Sequence, residues 1–373
     1  MVVDNILGFL TSLVIAFIAT PYVKRLAEKV GAVDSPDHRK VHTRIMPRMG
    51  GLAIYLGYVV SFFLFVPYQT KTEMLGIFLG GTIVLITGML DDKFQLSPKW
   101  KLLGQLIGTA VVVIPFGLKI GVVHLPFGDN SIDFSDGWLA LLAIPITMFW
   151  IVGVTNAVNL IDGLDGLSAG VSAIATATMA VMALIMEDTN VAIYCFVLLG
   201  AILGFLYFNF HPARIFMGDT GALFLGFNLA ALSIMGFKEA LFVSFIIPIV
   251  VLGVPLWDTF FAIIRRIVNR QPISAPDKGH LHHCMLKMGL SHRASVMVIY
   301  GISIFFGGTA ILLTKVSTVF TQAKPAFWYS MIILGVMIFA IHMVSEVIGL
   351  IGRKYRPVIN TYRRIKGFGD EKK

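Results

Sequence analysis

Between two long apolar runs lies the segment Asn156-Ala-Val-Asn-Leu-Ile-Asp-Gly-Leu-Asp-Gly166. Asn156, Asn159, Asp162 and Asp165 recur at every third position, close to the helical period, so the spacing predicts two amides and two carboxylates on one face. Oxygen-bearing side chains at the edge of an apolar layer need a metal, water or a substrate as partner. That requirement favours a site over a polar turn bent by its glycines. Asp91-Asp92 ends another apolar run and is followed by Lys93, Lys99 and Lys101. Adjacent carboxylates repel, and they ionise together most easily beside a divalent cation or basic side chains. Asp219, within Phe216-Met-Gly-Asp-Thr-Gly221, has little side-chain bulk around it. Such a carboxylate can reach a metal or a phosphate-bearing ligand and also cap the helix that follows.

The basic residues divide between anchoring and binding. Lys40 and His42, in Arg39-Lys-Val-His42, and Arg48, in Pro47-Arg-Met-Gly-Gly51, suit phosphate binding and membrane anchoring equally well. Pro276-Asp277 reads as a helix start and Gly289 as its stop, giving a short amphipathic helix with His280, His283 and Lys287 on one face. His280, His282, His283 and Cys284 crowd into five residues, too close together to surround one zinc ion from a helix. Donors to a phosphate or sugar are the better assignment.

The elements that must position these groups are membrane helices. A chain that is 57% apolar and 14% charged, with a mean hydropathy of +0.82, is not an ordinary soluble protein. Its two cysteines make no disulfide framework. Eleven runs approach or exceed the length that crosses a hydrocarbon layer of roughly 30 Å: 5–22, 49–67, 74–90, 102–120, 138–155, 167–186, 191–208, 220–237, 240–264, 295–314 and 327–349. The first lacks a basic leader and a small-residue cleavage site and reads as a retained helix. With the first loop cytoplasmic, 25 Lys and Arg fall inside and five outside, which places the amino terminus outside and the carboxyl terminus in the cytoplasm. The chain is thus an all-α polytopic membrane protein of about eleven helices, with one membrane domain over 1–352 and a basic tail over 353–373 that suits anionic lipid rather than nucleic acid. Residues 121–137 form a small external hairpin around Gly128-Asp129-Asn130.

Asp91, Asp92, Asp162, Asp165 and Asp219 then share the cytoplasmic face with the amides and the His, Lys and Arg residues. Hard oxygen ligands suit magnesium bound jointly to substrate phosphates, and transfer at phosphorus needs chiefly charge neutralisation and in-line positioning. The membrane setting implies a lipid as one substrate. The rival is a proton-coupled transporter or lipid flippase using the intramembrane Asp258, His342 and Glu346. A carrier places its site near mid-membrane between repeated halves, whereas here the acids crowd one face and no repeat is evident. Asp258 then lines the cleft, and His342 and Glu346, one turn apart, satisfy each other.

In order, Arg39-Lys-Val-His42 with Pro47-Arg-Met-Gly-Gly51, Asp91-Asp92, Asn156 to Leu167, Phe216 to Gly221 and His280-Leu-His-His283 resemble the motifs of the bacterial polyprenyl-phosphate N-acetylhexosamine-1-phosphate transferases, over almost the whole chain. The likeness is greatest to the branch that uses undecaprenyl phosphate to begin wall teichoic acid linkage units. It implies an eleven-helix bacterial plasma-membrane enzyme with Mg2+ as cofactor (Mn2+ as substitute), UDP-GlcNAc as donor, undecaprenyl phosphate as acceptor and UMP as product. By the same resemblance Asp219 holds the metal with Asn159 as second ligand, and Asp91 and Asp92 lie near the lipid phosphate, one accepting its proton. Asn156, Asp162 and Asp165 line the nucleotide pocket, Phe216 stacks on uracil, Lys101 contacts the donor, and His280 to His283 meet the sugar or diphosphate. The muramyl-pentapeptide branch has three successive histidines, so Leu281 favours the simpler aminosugar. Cys284 stands where relatives often carry Arg, leaving Arg293 to serve; Gln95 replaces a third Asp, and Ala222 a common Ser. A homodimer is a candidate assembly.

Overall fold

In the computed structural model, residues 2–35, 45–67, 72–124, 131–134, 137–236, 246–272, 277, 279–319 and 323–348 are described. Lys40, His42 and the basic tail lie outside them. The first four helices are α1 (Val2–Val30), α2 (Gly51–Phe65), α3 (Thr72–Phe94) and α4 (Pro98–Val113). They are followed by α5 (Leu139–Leu160), α6 (Leu167–Ile185), α7 (Thr189–Asn209) and α8 (Gly218–Met235), then α9 (Ile246–Val251), α10 (Gly253–Val268), α11 (Leu281–Lys287), α12 (His292–Val319) and α13 (Ala323–Ile348). Two short antiparallel pairs complete the described residues: β1 (Val33–Asp34) with β2 (Met46–Pro47), and β3 (Val122–His124) with β4 (Ser131–Asp133). The second pair is the expected hairpin; its tip is outside the described residues.

Local chemistry explains the helix starts. Pro98, which lacks the N–H that a first turn cannot use, opens α4, and the Asp188 carboxylate accepts from the N–H groups of Asn190 and Val191 at the start of α7. Among the described residues, eight helices are long and apolar enough to cross a membrane. Among the remaining expected spans, α2 and α4 have 15 and 16 residues. The ninth, expected as one helix over 240–264, is instead broken at Leu252 into α9 and α10. Gly253 and Pro255 follow the break, and a proline ring both removes a hydrogen bond and clashes with the preceding turn. The helix also runs on to Val268, carrying Arg265 and Arg266 in its last turn.

The bundle is built around α8, every residue of which is buried. It packs on α3 and α5 and meets α2 at its start. Inside a membrane, where water supplies no drive for helix association, close backbone approach over small residues takes over. A Cβ at Gly51 would collide with Gly221, one at Gly88 with the Asp219–Thr220 backbone, and one at Gly226 with Thr155. The Gly50 and Gly51 N–H groups donate to the Phe216 and Met217 carbonyls at 3.0 and 2.9 Å, and Phe216 N–H donates to Pro47 at 2.9 Å. The Pro47–Gly51 segment is thereby zipped to the start of α8. Deeper in, Tyr58, Tyr194 and Asn228 join side chains, with the two hydroxyls 2.5 Å apart and the Tyr194 hydroxyl donating to Asn228 at 2.7 Å.

Gly51→Ala is expected to lower the melting temperature in detergent, since overpacking of a close contact costs about 1–3 kcal/mol. Gly153→Ala, where an added Cβ meets nothing within 4 Å, should leave it unchanged or raise it. Equal melting temperatures for the two variants would contradict the close approach of α2 and α8.

Candidate active site

One end of the bundle gathers the carboxylates. Asp91 and Asp92 end α3, Lys101 lies in the first turn of α4, Asp162 follows α5, Asp219 opens α8 and Arg48 precedes α2. The two neighbours on α3 have different jobs. The Asp92 carboxylate, fully buried, accepts from Asp219 N–H (3.0 Å), Thr220 N–H (3.0 Å) and the Thr220 hydroxyl (2.6 Å), while Arg48 Nε approaches to 3.4 Å. It is the cap of α8, supplied from another helix, in the place where the helix dipole favours a negative charge. Asp91 instead faces Asp219 and Lys101, whose ammonium lies 3.0 Å from Asp91 and in direct contact with Asp219. Arg48 also reaches Asp219 and Asp34, each at 3.9 Å. Burial opposes its charge, and Asp92, Asp219, Asp34 and Asp162 outweigh burial and raise its pKa.

Asp162 has no such partner: among the described residues neither it nor the Asn159 amide makes a side-chain hydrogen bond. Burial and the nearby Asp219 push the Asp162 carboxyl up to about 8. So displaced, the acid keeps its proton more readily than an exposed carboxyl does. Asp91 and Asp219, with Asp162 close enough to feel the charge of Asp219, supply hard oxygens of the kind that suits a divalent ion, and the Lys101 ammonium already sits as a monovalent cation between Asp91 and Asp219.

The four residues of the central motif do not share one face. The helix of α5 ends at Leu160 and the chain turns through 161–166, so the three-residue spacing no longer aligns side chains. Asn156 points at α4, where its amide donates to Gln105 Oε1 at 2.6 Å. Asp165 forms a second knot: its Oδ2 lies 2.8 Å from His211 Nδ1 and accepts Ala213 N–H at 3.1 Å, and its own N–H donates to His292 Nε2 at 2.9 Å. The ligand atoms of Asp165, His211 and His292 lie within 4.8 Å of one another, close enough to hold a metal ion, and here they hydrogen-bond to one another. Asp165 thus ties the α5–α6, α7–α8 and α12 segments together. Gln105, Thr220, His211 and His292 were not among the expected site residues. Gln105 lies one turn beyond Lys101 and Thr220 beside Asp219, which was the available signal.

The histidines begin at the start of α11, a shorter helix than the one expected from Pro276-Asp277 to Gly289. The His282 ring packs on Gly163 of the central motif, where an added Cβ would strike it. Burial, with His283 beside it, pushes His282 down to about 4, which keeps its ring neutral at neutral pH. Cys284 does not replace a cation: burial raises its pKa and its thiol turns to the Gly279 carbonyl at 3.4 Å. Arg293 lies by the other knot, over the Phe210 ring and 3.5 Å from the His211 carbonyl. Phe216 is half-buried at the zipped segment. The ionisable residues of the rival transporter reading are engaged elsewhere, with Asp258 bound to His280 and His342 to Glu346, each at 2.8 Å.

Carboxylates and fixed cations converging at one end of a helical bundle define a multi-pass membrane enzyme of phosphate-group transfer. The model of glycosyl transferase family 4 matches residues 74–237. A Bacillus subtilis protein described as a probable undecaprenyl-phosphate N-acetylglucosaminyl 1-phosphate transferase is 48% identical, with 96% of each chain covered. A decaprenyl-phosphate N-acetylglucosaminephosphotransferase of Mycobacterium tuberculosis is 36% identical over 83% of each chain. A phospho-N-acetylmuramoyl-pentapeptide-transferase of Halalkalibacterium halodurans is also 36% identical, over 83% of this chain and 95% of its own. The chain belongs to glycosyl transferase family 4, the sugar-phosphate transferases of the membrane.

Asp92→Asn is expected to lower both turnover and melting temperature, because removing one partner from a buried ionic network costs about 3–5 kcal/mol. Asp91→Asn should cut turnover and leave the melting temperature near wild type; matching thermal losses would refute the division of labour. The unfolded chain binds a proton on His282 near the ordinary imidazole value and the folded chain only near 4, so stability is lost as pH falls through that interval. His282→Gln should flatten the acid side of a melting-temperature profile, and an unaltered slope would refute the burial of a neutral ring.

Proposed function

We propose that this protein transfers GlcNAc-1-phosphate from UDP-GlcNAc to undecaprenyl phosphate, giving undecaprenyl-diphospho-GlcNAc and UMP, at the cytoplasmic face of a bacterial plasma membrane. The observation that carries the reading is the meeting of Asp91 and Asp219, from two separate connections, around Lys101 and Arg48, with Asp162 of a third within their electrostatic reach. The printed names of the relatives support the lipid phosphate and the aminosugar. The excess of Lys and Arg in the loops on the site's side supports the orientation. The motif resemblance supports wall teichoic acid as the polymer served.

A lipid-phosphate oxygen attacks the β-phosphorus of the donor, a new P–O bond forms, and the bond from that phosphorus to the bridging oxygen breaks to release UMP. Asp91, held by one ammonium and not committed to a cap, takes any proton that the acceptor phosphate still carries. Lys101 and Arg48 stand where charge develops on the phosphoryl oxygens. The neutral His282, with His280 and His283 near it, suits hydrogen bonds to the sugar or the diphosphate. Asp219 with Asn159 and Asp162 would hold a divalent ion, Mg2+ by donor chemistry with Mn2+ as substitute, which supplies charge neutralisation to the donor diphosphate.

Purified protein in detergent should release UMP from UDP-GlcNAc when given undecaprenyl phosphate and Mg2+, lose that activity with EDTA and regain it on readdition. Asp219→Ala should fall at least about a hundredfold, the size of loss expected for a group that stabilises transition-state charge. Full activity in excess EDTA, or in Asp219→Ala, would overturn the cation assignment, and no UMP release under any condition would overturn the reaction.

A further inference from the structure

Asp258 lies in α10, 4% exposed, outside the carboxylate cluster and unused by the reaction above. Its Oδ2 is 2.8 Å from His280 Nδ1, and its Oδ1 accepts the Leu281 N–H at 2.8 Å. One carboxylate therefore caps α11 and grips the imidazole just before it. The same helix holds the approach to α11, since Arg265 donates to Asp277 Oδ2 at 2.6 and 3.1 Å while Asp277 Oδ1 accepts Gly279 N–H at 2.9 Å. The His280 ring lies parallel to that of His282, 6.0 Å between centroids and 5° between planes, and His282 packs on Gly163 beside Asp162. On its other side Asp258 borders a cavity of about 320 Å³ walled by apolar side chains, among them Val254, Trp257, Leu281 and Phe306. A carboxylate that takes the Nδ1 proton of a histidine fixes both its tautomer and its ring plane, as the outer partners of metal ligands and catalytic histidines do.

We propose that Asp258 is a positioning residue for the transfer: from inside α10 it fixes His280 with Nδ1 as donor, so that only Nε2 is left to meet the diphospho-sugar donor. The inference rests on the reading of the histidine loop as part of the donor site. It gives the buried acid of α10 a task that neither the metal nor the acceptor requires.

Asp258→Asn tests it, because the carboxamide oxygen still caps Leu281 while its NH2 faces His280 Nδ1 and forces the opposite tautomer. In the detergent assay, kcat should fall about ten- to a hundredfold, the range seen when such outer partners are removed, with the melting temperature held. Asp258→Glu, which returns the carboxylate, should recover part of kcat even where packing lowers the melting temperature. The Asp258→Asn/His280→Asn pair should be no slower than His280→Asn alone. Asp258→Asn with kcat within twofold of wild type, or a pair whose losses multiply, overturns the proposal, as does a loss of melting temperature with kcat per folded enzyme intact. A crippled His280→Asn beside a normal Asp258→Asn sinks this inference alone, and a fully active His280→Asn sinks the donor-loop reading with it.

Discussion

The structure depends on a carboxylate from one helix closing the start of another. Asp92 on α3 takes two backbone N–H groups and one hydroxyl from the first turn of α8, the helix around which the bundle is packed. Those N–H groups have no partner within their own helix, and their burial without one would cost more than the hydrogen bonds return. The same contact fixes the backbone of Asp219, so the cap that orders the core also aims the carboxylate nearest Lys101. Fold and site are therefore not separable at this point. A change that loosens the cap withdraws Arg48 from its nearest acid and leaves a buried negative charge with fewer partners.

Close approach supports this cap from the sides. Gly51 against Gly221, and Gly88 against Thr220, bring the starts of α2 and α8 and the end of α3 nearer than any side chain would allow. Gly218 has φ +70°, a conformation that favours glycine, and a Cβ there would strike the Asp92 carboxylate. Short-range packing of this kind holds a polar cluster to the tolerance that phosphoryl transfer demands, because a displacement of about 1 Å at reacting atoms is expensive in rate.

The membrane helices were legible because long apolar runs leave the chain little choice, and the gathering of the acids was legible because all of them lie at run ends on one side. What was not legible follows from geometry finer than the pattern. Asp91 and Asp92 are neighbours of the same type, yet on a helix they point about 100° apart, and only the position of α8 decides that one caps and the other stays available. Asp162 and Asp165 were aligned on the assumption of a continuing helix; the turn after Leu160 sends one to the cation cluster and the other to His211 and His292. The break at Leu252 was hidden within an apolar run whose Gly253 and Pro255 do not interrupt its hydropathy. Asp258 looked like a group facing a cleft because the helix that it caps, α11, lies 23 residues further along.

The order of the elements accounts for the electrostatics of this face. Helices α2, α4 and α8 begin there, and α3 and α5 end there. Positive helix starts and the side chains of Arg48 and Lys101 suit phosphate, yet Asp91, Asp92, Asp162 and Asp219, when all are ionised, exceed those two cations by two negative charges. A substrate diphosphate would meet that excess as repulsion. One divalent cation would cancel it, whereas in the second cluster Asp165, His211 and His292 are already hydrogen-bonded to one another. Burial, and after it the charge of Asp219, raises the Asp162 carboxyl to about 8, so that this acid adds its negative charge to the cluster less readily than the others.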